Sequence, residues 1–184
     1  YFFTNSSFMK LHFFQVIIHL FCLIGSSVLA NPSVLAQVAS DESLNTQVTT
    51  SDNLNFVIKD GTQAGSNLFH SFREFSIPTE GSVSFVNSTN IQNIFNRVTG
   101  VSPSNLDGLL KANGSANVFL LNPNGIIFGN NAALNIGGSF LASTANSLIF
   151  EDGNQFSTNK TQTQPLLTVN VPIGLQFGSN PGKI

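Results

Sequence analysis

Very few side chains in this chain of 184 residues can do chemistry. It holds three histidines and one cysteine, and His12, His19 and Cys22 all fall in an apolar N-terminal run. That leaves His70 for the rest of the chain. One histidine cannot build a histidine-based metal cluster, and it reads as a cap residue or a surface turn rather than a catalytic base. Acidic residues adjoin at Asp41-Glu42 and at Glu151-Asp152. Neighbours on a strand point to opposite faces, so neither pair shares a site, and both read as solvated turns. Gly137-Gly138 lacks the following Lys-Ser/Thr of a phosphate loop and is also a turn. The pattern that says most is Asn122-Pro123-Asn124-Gly125. Pro123 presets φ for the second place of a turn, Asn124 and Gly125 tolerate positive φ, and Asn side chains bond nearby amides. Taken alone, this turn shows only that the chain bends between two apolar runs.

Those runs, Val118–Leu121 and Ile126–Phe128, are short, β-branched or aromatic, and about one strand long. The whole composition points the same way. Charged residues make up 9% of the chain, against about 25% in an average domain, and 23 asparagines with Ser, Thr and Gln supply the polarity instead. Phe occurs 18 times and Trp not at all. Short apolar segments between Asn, Gly, Ser and Thr turns suit an all-β protein and disfavour helices. A net charge of −2 gives no basic footprint for nucleic acid.

The N-terminus has the order of an export signal. Tyr1–Phe8 precede a plausible start at Met9 and read as non-native. Residues 9–36 comprise Met9-Lys10, an apolar run from Leu11 to Ile24, and candidate cleavage sites at Val28-Leu29-Ala30 and Val34-Leu35-Ala36. The run is shorter than the ~20 residues that span a bilayer, so cleavage is favoured over anchoring. Residues 37–52 read as a polar, irregular leader.

The body begins with a strand over Asn53–Lys59. Asn67–Ile77 carries Phe69, Phe72 and Phe75 every three residues, a spacing open to a helix, but its Ser content and Ile77-Pro78 favour extended chain. Val83 and Phe85 alternate onto one face of a strand. Asn90–Val98 is the best candidate for a short helix, with Ile91, Ile94, Phe95 and Val98 at helical spacing and Asn90 able to cap it. Ser104–Leu110 could add one helical turn. From Val118 the apolar segments fall at 118–121, 126–128, 134–136, 140–142, 148–150, 166–171 and 173–177. The return of about 22 residues between Ile126 and Leu148 matches a coil of a parallel β-helix, in which each coil buries its neighbour's apolar face and turn asparagines can stack into ladders. A β-sandwich of short strands is the alternative.

Several ordered motifs now carry a resemblance: Phe95-Asn96-Arg97-Val98-Thr99-Gly100, Ser102-Pro-Ser-Asn-Leu-Asp107-Gly108, Val118-Phe-Leu-Leu-Asn122-Pro123-Asn124-Gly125-Ile126-Ile-Phe-Gly129 and Gly138-Ser-Phe-Leu-Ala-Ser-Thr144. With Asn67-Leu-Phe69-His-Ser-Phe72 upstream and Pro172–Gly178 downstream, the chain from Asn53 to Ile184 resembles the N-terminal secretion domain of the filamentous haemagglutinin family, the exported partner in two-partner secretion. The resemblance implies a right-handed parallel β-helix with an N-terminal cap. It implies export by the general secretory machinery, and recognition in the periplasm by the POTRA domains of an outer-membrane β-barrel transporter. The product would then be secreted or held at the cell surface of a Gram-negative-type bacterium. Asn122, Pro123, Asn124, Gly125 and Ile126 sit on the family's second signature, and Asn67, Phe69, Phe72, Asn96, Arg97, Val98, Thr99, Asp107, Gly108 and Gly129 on its other motifs. The first signature, Asn-Pro-Asn-Leu, is replaced here by Asn87-Ser88-Thr89-Asn90, so no recognition role passes to that position.

No cofactor, metal or catalytic residue is expected. Family chains run on for hundreds of residues, so the end at Asn180–Ile184 reads as a truncation in mid-coil. Any host or cell-surface glycan would be met by a region beyond it. Two other readings stay open: a free-standing adhesin or glycan-binding β-helix, and a polysaccharide-cleaving β-helix enzyme. The second would need several converging charged residues in a chain that has few.

Overall fold

A computed structural model describes residues 37–159 and 167–184. The upstream residues 1–8, the segment 9–36 read as an export signal, with Cys22, and Leu166 lie outside the described residues. Among the described residues there are sixteen strands and no helix.

Ten of these strands wind the chain into a β-solenoid of about four turns. One parallel face is built from β5 (Asn67–Phe75), β7 (Asn93–Val98), β10 (Asn117–Leu121) and β13 (Phe140–Ser143). A second stacks β3 (Asn55–Asp60), β6 (Ser82–Phe85), β9 (Leu109–Ala112) and β12 (Ala133–Asn135). The third is short: β8 (Ser104–Leu106) pairs with β11 (Ile126–Phe128), and Ile77 continues it by a bridge to Leu106. The return shortens along the solenoid, from 27 residues between Asn55 and Ser82 to 22 between Val118 and Phe140. A continuous core fills the interior with Ile58, Phe72, Phe85, Ile94, Leu110, Val118 and Ile126. No coil could bury its apolar face alone; the next coil does it.

The period of 22 was legible, but not the partner it was assigned to. Ile126 pairs with Ser104 behind it, whereas Leu148 leaves the solenoid. It lies in β14 (Ser147–Phe150), the centre of an antiparallel sheet with β15 (Gln155–Ser157) and β16 (Pro172–Gln176). This sheet covers the outside of the first face, where Phe69, Phe95, Leu121, Leu148, Phe150 and Phe156 form a second core. No strand forms over the described part of 166–171.

That second core corrects the short helix expected over Asn90–Val98. The segment is β7, and all six of its residues are buried. Ile94 and Val98 face the interior while Phe95 faces the outer sheet. A strand covered on both sides shows a nearly continuous apolar run instead of alternation, and such a run contains helical spacings by accident. Ser104–Leu110 likewise forms β8 and the start of β9, not a helical turn.

The stretch 37–52, read as an irregular leader, carries β1 (Val38–Ser40) and β2 (Thr46–Thr50). β1 pairs antiparallel with β5, and β2 pairs antiparallel with β3; β4 (Thr62–Ala64) folds back on β5 as well. The β1–β5 register slips between Ser40↔Phe72 and Ala39↔Glu74. One extra residue on β5 flips the side-chain alternation. This is how Phe72 and Phe75, three apart, both reach the interior, with ring centroids 5.0 Å apart.

Candidate functional site

The residues singled out in the sequence do not converge on one point. The structure places them in three separate clusters.

The Asn122–Ile126 corner follows β10. The Gly125 N–H donates to the Asn122 carbonyl at 3.1 Å, closing the turn. Gly125 has φ +126°, while Asn124 is not among the residues of positive φ; of the two thought suited to that conformation, only the glycine uses it. Asn122 is fully buried. Its Nδ2 donates to the Ser102 carbonyl at 3.0 Å and to Ser104 Oγ at 2.9 Å. Its Oδ1 accepts from the backbone N–H and Nδ2 of Asn124, both at 3.0 Å. These four bonds exhaust a carboxamide. Asn124 Nδ2 donates also to the Gly100 carbonyl one coil earlier, at 2.8 Å. On the other side, Gly182 N–H donates to the Pro123 carbonyl and Ile126 N–H to the Lys183 carbonyl. The corner is therefore a rivet between coils, with the Asn122 carboxamide buried inside it and Asn124 at the surface.

A second corner holds Asp107, Gly108 and Gly129. Asp107 accepts from Thr79 Oγ1 in the coil before, and from the backbone N–H and Nδ2 of Asn131 in the coil after. The hydroxyl of Thr79, followed by the Asn131 donors, holds the Asp107 carboxyl below its usual range. A Cβ on Gly108 would stand 2.5 Å from the carbonyl oxygens of Gly81 and Pro78, so only glycine permits this stacking.

The third cluster is the outer surface of the first face. In register across the coils, Asn93 Nδ2 donates to Asn67 Oδ1 and Asn117 Nδ2 to Asn93 Oδ1, at 2.9 and 3.0 Å. This is the asparagine ladder expected of a solenoid, standing where strands begin rather than within the turns. Asn67 Nδ2 also donates to the carbonyls of Thr168 and Asn170, tying the outer segment down. Beside it Phe69, Phe95 and Phe119 stack with centroids 5.1 and 4.7 Å apart. Phe72, Asn96 and Val98 point the other way, into the main core, where Asn96 Oδ1 has no hydrogen-bond partner.

Sequence reasoning missed what surrounds Arg97. Its Nε donates to Ser71 Oγ at 2.8 Å, Nη2 to Ser43 Oγ at 3.0 Å, and Nη1 to the Ser157 carbonyl. Its guanidinium lies 4.9 Å from the centre of the Phe156 ring. Ser71 and Ser43 in turn donate to Asp41, as does Thr99 at 2.6 Å. Asp41 is thus no solvated turn acid: through two serine hydroxyls it is linked to Arg97, joining the segment between β1 and β2, the first face and the outer sheet. Burial pushes the Asp41 carboxyl up, but hydrogen bonds from Ser43, Thr99 and Ser71 outweigh it and keep it low. Burial lowers the Arg97 pKa, and the charge of Asp41 opposes that shift. Only the phrase Phe95–Gly100 hinted at Arg97; nothing local marks Asp41.

His70 is also corrected. It lies within β5, 1% exposed, with its ring between Phe72 and Phe85 and Nδ1 3.3 Å from Thr46 Oγ1. Burial lowers its pKa to about 3, so it is a neutral core residue. Asp152 does sit in an exposed turn, as expected, accepting from Thr168 and Asn154. Among the described residues no group of three His, Cys, Asp or Glu side chains could hold a metal.

The architecture is that of a capped parallel β-solenoid whose marked residues bind coil to coil. The profile of the TPS secretion domain matches residues 36–184, and the chain belongs to that family. It is 43% identical over 60 residues to the heme/hemopexin-binding protein of Haemophilus influenzae, a match covering 33% of this chain and 6% of that protein. The filamentous hemagglutinin secretion domain superposes with a TM-score of 0.52 at 24% identity, over 64% of this chain and 45% of that one. The HMW1 secretion domain from Haemophilus influenzae gives a TM-score of 0.47 at 28% identity, covering 69% and 32%. The chain thus spans a small part of the curated relative it matches.

Proposed function

We propose that this chain is the targeting module of an exported two-partner secretion protein, read in the periplasm by the POTRA domains of its outer-membrane transporter. Membership of the TPS secretion domain family carries this reading. The corner Asn122–Ile126 supports a structural part for the signature turn: its amide groups are spent on neighbouring coils, which leaves exposed backbone edges as the surface to be read. Recognition by strand addition suits such a surface, because main-chain bonds supply affinity with little sequence readout. The last coil leaves Phe128 and Leu134 about half exposed, an apolar end on which further coils can be templated outside the cell. On this reading the product is secreted or surface-held and reaches the exterior through the periplasm.

The test is to express the chain with and without the transporter encoded beside it and to assay the medium. The protein should appear there only with the transporter. Equal release in both strains would sink the proposal.

A further inference from the structure

We propose that the free edge of β2 is where the transporter adds its strand; this rests on the recognition by strand addition proposed above. The choice follows from comparing the edges of the described sheets. β1 has three residues and a broken register. β4 and β15 have three residues each. β16 opens with Pro172 and carries Gly174. The edges of β11, β12 and β13 lie together at the far end of the solenoid, which the reading above gives to templating. Each of these is short, interrupted or otherwise engaged, the usual ways of blunting an edge.

β2 has none of these devices. Thr46-Gln-Val-Thr-Thr50 pairs with β3 in unbroken register from Thr46↔Asp60 to Thr50↔Phe56, and it contains no proline and no charge. The Gly61 N–H donates to the Asn45 carbonyl, which sets the alternation of an antiparallel ladder. Asn45, Gln47 and Thr49 turn their backbone groups to β3; Thr46, Val48 and Thr50 turn theirs away. Among the described residues no strand pairs with that outer side.

The edge also borders a recess of suitable form. A groove of about 790 Å³ runs between β1 and β2 at the N-terminal end of the solenoid, lined among others by Ser40, Asn45, Gln47 and Asn53. Glu42 and Arg73 are its only charged residues and are of opposite sign. Unpaired backbone calls for an extended segment. A nearly neutral lining, in which amides and hydroxyls stand beside Val38, Leu44, Val48 and Phe56, calls for one with uncharged side chains, polar and apolar, bound with little dependence on salt.

The experiment uses the full chain and the purified periplasmic domains of the transporter encoded beside it. Val48→Pro removes one outward N–H while leaving the bonds to β3; Val48→Ala removes only side-chain packing. With both variants shown to be folded by circular dichroism, Val48→Pro should bind about tenfold weaker or worse, a loss of about 1.4 kcal/mol, and Val48→Ala close to wild type. Independently of the variants, hydrogen exchange on the wild-type complex should show new protection at Val48. Wild-type affinity in Val48→Pro, or an unprotected Val48 amide in the complex, would overturn the assignment to β2 and leave the secretion reading standing. Failure of the wild type to bind at all would overturn both. Loss of self-association in Val48→Pro with transporter binding intact would assign the edge to a second copy of this chain instead.

Discussion

At the scale of single residues, the signature corner and the core histidine make opposite kinds of contribution. Asn122 is buried and makes four hydrogen bonds. Replacing it with alanine leaves Ser102 and Ser104 without their donor, which costs about 2 kcal/mol or more. Asn124 is exposed, and its loss costs about 1 kcal/mol. Urea denaturation should rank Asn122→Ala as clearly the worse of the two. His70 titrates instead. Its folded pKa is about 3 and its unfolded value about 6.5, so below that the unfolded chain binds a proton the native state refuses. Stability should therefore fall as pH drops from about 6.5 towards 3, by about 1.4 kcal/mol per pH unit at full slope. Asp41 and Asp107 have lowered values, so their contributions are lost only below the ordinary carboxylate range and leave the window above it to His70. Urea midpoints at about pH 7 and about pH 4.5 should differ in the wild type and much less in His70→Gln.

At the scale of elements, the outer sheet is held by two means, an apolar face and a charged clasp. Leu148, Phe150 and Phe156 cover Phe69 and Phe95, and Arg97 reaches across to Ser157 and Phe156. Arg97→Ala removes the guanidinium's bonds to Ser71, Ser43 and Ser157 and its contact with Phe156, a loss of about 3 kcal/mol. The damage should be local: amides of β14 and β15 should exchange faster, while those of β6 and β9, on another face, keep their protection. Uniform acceleration over all strands would contradict the clasp. Arg97→Ala and Asp41→Asn should also be less than additive when combined, because they act through one network.

For the whole molecule, the dominant fact is that stabilising pairs are far apart in sequence. Parallel rungs join residues 22 to 29 positions apart, and the clasp joins Arg97 to Ser43 and Ser157, 54 and 60 positions away. Closing such loops before any reward is collected makes folding slow. Refolding from urea should take milliseconds to seconds or longer, with protection of β1 and β15 arising late and together. A single microsecond phase in stopped-flow or temperature-jump records would refute this. On the secretion reading proposed above, slow closure would also keep the chain unfolded while it is exported.

Much of this architecture was written locally. Asn-Pro-Asn-Gly sets a corner, short β-branched and aromatic runs set strands, and a near-constant return sets coils; an asparagine ladder was expected as well, but in the turns rather than at the strand starts where Asn67, Asn93 and Asn117 form it. What the amino acids could not announce is which strands would be covered twice. Asn90–Val98 looks helical until the outer sheet, more than fifty residues downstream, is laid on Phe95. His70 looks like a surface residue until β2 and β6 close around it, and Asp41 looks solvated until Ser71 and Thr99 arrive. Turns and periods are decided by neighbours in the chain, through φ preferences and side-chain bonds to adjacent amides. Burial of a strand's second face and the pairing of lone charges are decided by segments distant in the chain, and only the tertiary structure brings those together.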